Sequence, residues 1–381
     1  MNKTAEKLFI KYKNSTQKTA KYRESLYKAS QYRLMWHKFK KHKIAKYSII
    51  LLTIFYIIAF FADFIAPYEL NDRDKNNFFS PPHKIRIYDK EKGLLSPYIY
   101  GLEKELDTTT FTYKFSENKE TKFHINFFVD SEPYKILNIT LNTRLFGLEN
   151  GNKIFLFGTD KYGMDIFSQT IYGSRVSLSV GLVGVIISFI IGTILGGISG
   201  FYGGKIDEII QRIIDFIISI PQLPLWMALS AAIPNDWSGI QTFFAITVIL
   251  SFVGWTGLAR VVRGKIISLR NEDYVLAAKI CGASDRIIIL KHLIPGFLSY
   301  LIVHITLAIP QMILGETALS FLGLGILPPD VSWGSLLKEA QNLTLIAEYP
   351  WYLIPCIFVI ITVLLYNFIG DGLRDAADPY A

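Results

Sequence analysis

Six long apolar runs govern what this 381-residue chain can fold into. They lie near Tyr47–Pro67, Ser177–Gly200, Ile213–Ile233, Phe243–Val262, Phe297–Gly325 and Trp351–Ile369. Each is long enough to cross a hydrocarbon layer of about 30 Å. Their Ile, Leu, Phe and Val residues each favour insertion by about 0.3–0.6 kcal/mol. Lipid offers no water to stray N–H and C=O groups, so such segments must be helices. The chain is 51% hydrophobic with positive mean hydropathy, which excludes an ordinary soluble globular protein. The expected fold is an all-α polytopic membrane protein with six transmembrane helices.

Charge placement sets the expected orientation. Residues 1–46 hold 14 Lys/Arg against Glu6 and Glu24. Positive flanks stay in the cytoplasm, so the N-terminus is read as inside, and six crossings return the C-terminal tail, 371–381, to the same side. The first span, 47–67, starts too deep in the chain and runs too long for a cleavable signal peptide. Before it, Leu34, Met35, Trp36 and Phe39 mingle with Lys38, Lys40, Lys41 and Lys43, a mixture suited to the headgroup layer. A nucleic-acid arm is the alternative for so basic a segment; its place beside a span favours the topogenic reading.

Residues 68–161 read as an extracytoplasmic insert. From Glu69 to Lys161 there are 14 Lys/Arg and 14 Asp/Glu, and the patterns are strand-like. FTYKF and KFHINFFV, separated by SENKET, read as a β-hairpin, and KILNITLNTRLFG continues the style. The expectation is a small β-rich domain, either a stabilising cap or a dock for a substrate-binding protein. Asn138-Ile139-Thr140 matches a glycosylation sequon, a tripeptide common by chance.

Residues 162–370 carry the remaining spans. Gly192, Gly196 and Gly200 recur every fourth residue and flatten one helix face for close packing. Pro221 and Pro224 should break the third span and Pro310 the fifth. Broken helices in transporters line cavities, which points the pathway past Pro221 and Pro310; a plain kink is the alternative. Asp215 and Glu316 are ionisable residues at membrane depth, with His304 a weaker case. For Asp215 the simple reading is a boundary salt bridge beside Gln211 and Arg212. Glu316 is a candidate for the path or gate, or for a helix cap or a contact with a partner.

Between the fourth and fifth spans, Tyr274–Gly296 reads YVLAAKICGASDRIIILKHLIPG. The surrounding region, 263–295, is basic: Arg260 to Lys291 holds seven Lys/Arg against three acids, again on the inside. Ala277 and Ala278 offer a small face, Gly282 breaks the helix, Ser284 and Asp285 restart it, and Pro295 ends it. Two short helices meeting at a glycine make a knob that a soluble partner can grip; an ordinary amphipathic loop is the plainer reading.

This stretch resembles the ATPase-coupling loop of permeases in binding-protein-dependent ABC importers. Ala277, Ala278, Gly282 and Pro295 keep that family's spacing, with Ala283 and Asp285 between them. Leu276 and His292 depart from its usual glutamate and isoleucine. Gly158, Asp160, Gly163, Asp165, Gly173, Arg175 and Ser177 resemble the approach to the second span in oligopeptide, dipeptide and nickel permeases, with Met164 and Gln169 where arginine is usual. GETALSFLGLGILPPDVSWG and the terminal GDGLRDAADPYA extend the likeness.

The resemblance implies a type I ABC importer permease fold, in the cytoplasmic membrane. It implies a second homologous permease, two ABC ATPase subunits and an extracytoplasmic substrate-binding protein as partners. Peptides are the implied cargo, although relatives of this architecture also carry nickel complexes and oligosaccharides. ATP and Mg would belong to the ATPases. This chain lacks a GxxxxGKS/T phosphate loop, HExxH, CxxC and GxSxG, so no bound cofactor, metal or catalytic residue is expected, and no nucleic acid. A gradient-driven transporter would show inverted repeats, and a membrane enzyme or sensor a titratable external cluster; neither is present in the sequence.

Overall fold

The structure, a computed structural model, describes residues 31–87, 97–107, 112–136, 139–148, 152–234 and 236–377. The first 30 residues of the basic segment, Asn138 of the sequon and the tail from 378 lie outside them.

Helix α1 (Gln31–Lys41) leads into α2 (Lys43–Phe60) and a short α3 (Ala62–Ile65). Strands β1 (Tyr98–Asp107), β2 (Thr112–Ile136) and β3 (Ile139–Leu148) follow. The rest is helical: α4 (Ile166–Tyr202), α5 (Gly204–Ser219), α6 (Gln222–Ser230), α7 (Gly239–Leu269), α8 (Asp273–Ile280), α9 (Asp285–Ile287), α10 (Leu298–Phe321), α11 (Trp333–Leu337), α12 (Leu343–Glu348) and α13 (Ile354–Ala377).

Among the described residues, five helices are long and apolar enough to cross a membrane, and α5 and α6 make a sixth candidate bent by 86°. The bend follows from Pro221, which caps α6 in an extended conformation at ψ 129° and cannot continue the helix. At 1.5 Å per residue, neither arm spans about 30 Å alone.

Contacts at the two ends show that the bent pair still makes one crossing. At one end His42, which caps α2, lies 3.9 Å from Asp375, and Gly372 packs on Ala45 and Phe39. Lys265, Gly296 and Arg374 line a common cavity there, so α7 and α13 finish at this end and α10 begins there. Gly200 of α4 packs on Arg263 close by. At the other end, Arg175 donates to the Ala59 and Phe60 carbonyls at 2.8 and 3.0 Å, and the Trp333 indole donates to the Thr170 carbonyl at 3.0 Å. Gly239, the first residue of α7, lies against Asp330 on that side. Helices α4 and α7 therefore run in the same direction, and the chain between Tyr202 and Gly239 must cross back. Six crossings result, with the start of α2 and the end of α13 at one end.

The α4–α7 pair is the centre of the bundle. A Cβ on Gly192 would sit 2.9 Å from the Trp255 carbonyl oxygen, and one on Gly200 2.7 Å from that of Arg263; on Gly196 it would overlap the Ala259 carbonyl. Trp255, Ala259 and Arg263 are themselves four residues apart, so two matching stripes lie backbone to backbone. Lipid supplies no hydrophobic drive between helices, and this close approach replaces it with dispersion contact.

Between α3 and α4 the described residues form a three-stranded antiparallel sheet in the order β1-β2-β3. The expected hairpin at SENKET is absent. FTYKF from Thr112 onward and KFHINFFV belong to one 25-residue strand, and SENKET is absorbed by a register shift in which Tyr100 pairs with Lys122 and Gly101 with Asn118. Alternation reports strandedness on both sides of a bulge as readily as on both sides of a turn, which is why pattern alone misplaced it. Strands β2 and β3 pair antiparallel, with Ile136 opposite Ile139. Ile99, Ile125, Leu148 and Ile154 form the small core of the insert. Arg144 ties it down: its buried guanidinium donates to the Ala66 carbonyl at 2.9 Å, just after α3.

Candidate functional site

Helix α8 buries only Val275, and it closes with a Schellman motif. The Ala283 amide donates to the Ala278 carbonyl at 3.0 Å and the Gly282 amide to that of Lys279 at 2.9 Å, with Gly282 at φ +79°. Only glycine takes that conformation without strain, and no atom lies within 4 Å of where its Cβ would be. Gly282 is thus an open notch at the tip of the knob.

Ala277 and Asp285 are exposed, whereas Ala278 and Ala283 are half-buried. The latter two pack on a cluster that includes Val275, Ile288, Leu293, Phe297 and Val262 of α7. They hold the knob to the bundle, and Ala277 is the alanine that faces out. The second half of the knob also differs from expectation. Pro295 does not end a helix: residues Asp285–Phe321 form one continuous helical span. Pro295 has no N–H for the Lys291 carbonyl and its ring crowds that turn. The chain answers with a π turn at Ile288–Leu293 and a 3-10 turn at Ile294–Phe297, then resumes as α10. The knob is therefore mounted directly on a membrane helix.

Sequence reasoning passed over the apolar side chains that cap this surface. Ile280 is 87% exposed and Leu290 64%, with Leu276, Ile287 and Tyr274 exposed near them. An isoleucine one position before the helix cap, off the line of Val275, was the available clue.

The basic run before the knob is spent inside the chain. Arg263 makes a bidentate pair with Asp207 of α5 at 2.5 and 2.6 Å, and Ser199 also donates to that carboxylate. Arg270 donates to the Gly200 carbonyl at 3.1 Å, closing α4. Arg260 pairs with Asp215, so the partner of Asp215 comes from α7 rather than from Gln211 or Arg212. These pairs make α4, α5 and α7 one body at the end where the knob sits.

The three pathway candidates fare differently. Pro221 stands exposed at the α5–α6 bend. Pro310 is buried within an unbroken α10, because the helix passes it without stopping; it does not break the fifth span. Glu316 is fully buried and enclosed by its own chain. Ser177 donates to it at 3.2 Å and Ser320 at 2.7 Å; the Trp333 amide then donates to Ser177 and the Ile326 amide to Ser320. Glu316 is the hub that joins α4, α10 and α11, and it lines no open cavity among the described residues.

The approach to α4 is a second joint. Gly158 and Gly163 take φ of +77° and +75°, and a Cβ on Gly163 would overlap the Asp74 backbone. Asp160 accepts from the amides of Tyr162 and Met164 and, at 3.0 Å, from Gln169, so the glutamine in the arginine position is a partner for this carboxylate. Asp165 caps α4, one oxygen accepting from the Ser168 amide and hydroxyl. Its other oxygen has no partner among the described residues.

Burial pushes the Asp165 carboxyl up to about 7 from 3.8, against the pull of the Ser168 bonds. The folded state holds this proton more tightly than the unfolded chain. Its contribution to stability is complete below the unfolded value and is lost as pH rises through about 7. Asp165→Asn keeps the capping acceptor and removes the titration. We expect the melting temperature of the reconstituted variant to fall less than the wild type's between about pH 5 and pH 8. Equal slopes would show that Asp165 is not the source.

Residues 192–380 match the family described as the inner membrane component of binding-protein-dependent transport systems, and residues 30–82 match the N-terminal TM domain of oligopeptide transport permease C. The oligopeptide transport system permease protein OppC of Bacillus subtilis (strain 168) is 39% identical over 224 residues, covering 58% of this chain and 71% of that protein. The chain belongs to this permease family. The dipeptide transport system permease protein DppC of the same organism is 42% identical over 224 residues, covering 58% and 68%. OppC of Escherichia coli (strain K12) is 40% identical over 229 residues, covering 58% and 72%. A solved chain described as an inward-facing conformation of the MetNI methionine ABC transporter superposes with a TM-score of 0.45 at 20% identity, covering 55% of this chain and 97% of that one. The permease is a multi-pass inner-membrane subunit of an ABC importer that works with ATPase partners, and it is not itself an enzyme.

Proposed function

We propose that this permease passes peptides delivered by an external binding protein, and that the 274–296 knob couples it to a cytoplasmic ATPase. One observation carries the coupling: an exposed apolar cap around Ile280 and an open notch at Gly282, mounted without a break on α10. The knob end, which also holds the start of α2 and the end of α13, is the cytoplasmic end; the charge of residues 1–46 supports this. ATP and Mg stay on two ATPase subunits, each gripping one permease, and this chain binds neither.

A second homologous permease faces the exposed side of α5 and the bend at Pro221, enclosing the path between them. The apolar stripe Ile206, Ile209, Ile213 and Phe216 is exposed there. When the ATPases close on ATP, the knob moves with them. Because Arg263–Asp207, Arg270–Gly200 and the glycine stripes link α4, α5 and α7, the displacement turns a packed unit rather than bending one loop. That rocking shifts the balance between two gate positions. Peptide cargo is supported by the names of the relatives.

Uptake of a labelled oligopeptide into cells carrying or lacking this gene tests the cargo. Loss of uptake without the gene, restored by its return, is expected. Unchanged peptide uptake alongside lost uptake of another solute would reassign the cargo and leave the coupling scheme standing.

A further inference from the structure

The outward side of α2 carries Tyr47, Ile50, Leu51, Ile54 and Ile57, and Phe61 just past its end, all exposed at helical spacing. Phe64 in α3 continues that line beyond the end of the span. Its ring meets Phe128 of β2, with centroids 6.2 Å apart. The insert thus reaches the membrane-facing stripe with an aromatic side chain.

Phe128 is unusual in two ways. It takes φ +58° inside a strand, a conformation that a bulky side chain rarely adopts. Neighbouring residues in a strand point to opposite faces, so one of two adjacent phenylalanines should be buried. Phe127 is 60% exposed and Phe128 67%. The pairs on either side, Phe127 with Phe146 and Val129 with Arg144, stay in register, so the distortion is local to Phe128. The hairpin is also held close to the membrane: Arg144 grips the Ala66 carbonyl, and Phe146 packs edge-on against Phe167 at the start of α4. A surface strand bathed in water gains nothing from this arrangement. One seated where apolar chains meet the headgroup layer gains the burial of both rings, the environment that suits aromatic side chains at span ends.

We propose that Phe127 and Phe128 form an interfacial seat by which the insert rests on the outer leaflet of the bilayer beside α2. The partner is lipid: the patch continues a surface that already faces acyl chains. The seat rests on the reading of the insert as the extracytoplasmic domain, but not on the identity of the cargo or of the ATPase contact.

The test uses the full chain with its partner subunits in lipid nanodiscs, after Cys281 and Cys356 are replaced by serine. Spin labels are placed singly through Phe127→Cys, Phe128→Cys and, on the far part of β2, Glu120→Cys. Collision with oxygen and with a water-soluble nickel chelate reports the depth of each. The seat predicts oxygen-rich, chelate-poor labels at 127 and 128 and a chelate-rich label at 120. Chelate accessibility at 128 equal to that at 120 overturns it. Labels shielded from both reagents, or shielded only when a binding protein is added, overturn it in favour of a protein partner. Phe128→Trp keeps an interfacial aromatic. In that variant, quenching by brominated lipid beyond the wild-type level gives the same answer should the cysteine variants fail to fold, and no added quenching overturns the seat. Transport measured in parallel reports separately on the proposed function.

Discussion

Gly196→Leu yields no properly packed permease. A Cβ at this position already overlaps the Ala259 carbonyl, and the obstruction is the Ala259 backbone together with the Val262 Cβ, atoms that no rotamer change moves. The helices must part along the whole stripe from Gly192 to Gly200, which also strains the Arg263–Asp207 pair beside it. We expect a loss of about 3 kcal/mol or more, the upper end of overpacking costs. The readout is the fraction of protein that stays monodisperse in mild detergent, with its melting temperature. Gly257→Leu is the control, because nothing lies within 4 Å of a Cβ there. A Gly196→Leu protein as stable as that control would mean that the two stripes are not in contact.

Gly282→Arg separates coupling from folding. The φ of +79° charges any side chain about 1–2 kcal/mol of local strain, and alanine and arginine incur it alike. Only arginine then projects far into the open space above the notch. We therefore expect Gly282→Ala to retain most transport. We expect Gly282→Arg to keep its fold and to weaken ATPase docking by more than about 2 kcal/mol, roughly 30-fold, with loss of substrate-stimulated ATP hydrolysis. Purified complexes in nanodiscs give both quantities. If Gly282→Arg couples as well as wild type, the knob is not the contact.

Much of this was legible in the sequence because lipid leaves so few choices. Apolar length alone fixes helices, and glycines four apart mark a face before anything is known of what meets it. The Schellman closure at Gly282 could be read from a helix-forming stretch ending in glycine. Other features depended on distance through space. Nothing local says that Arg260, Arg263 and Arg270 are consumed by α5 and α4, so they read as a free basic flank. The sequence leaves Glu316 open as a path or gate residue, a helix cap or a partner contact, because a lone carboxylate in an apolar run has no visible partner. Its partners Ser177 and Ser320 are 139 and four residues away, and only the fold brings the first of them in. Pro310 misled for a related reason. A proline forbids one hydrogen bond, but whether the helix stops is decided by what packs on either side. Pro221 sits at a sharp bend, whereas Pro310 is enclosed and its helix continues.

The inward face of Ala278 and Ala283 refines the coupling assignment. The spacing that marks the loop is partly a folding requirement, since small side chains let α8 and α9 close on the cluster around Val275 and Leu293. The proposed contact surface then narrows to the exposed Ala277 and Ile280 and the rim of Gly282. Ile280→Asp should therefore abolish ATPase docking, while Ala278→Asp should first cost stability.

Affinity isolation of the tagged permease from its membrane in mild detergent, followed by mass spectrometry of what accompanies it, decides whether the knob holds the ATPase. Coupling through the knob predicts a second permease and ATPase subunits in the wild-type sample, with the ATPase missing and the second permease retained for Gly282→Arg. A stable assembly of this chain with itself, without any ATPase, would contradict it.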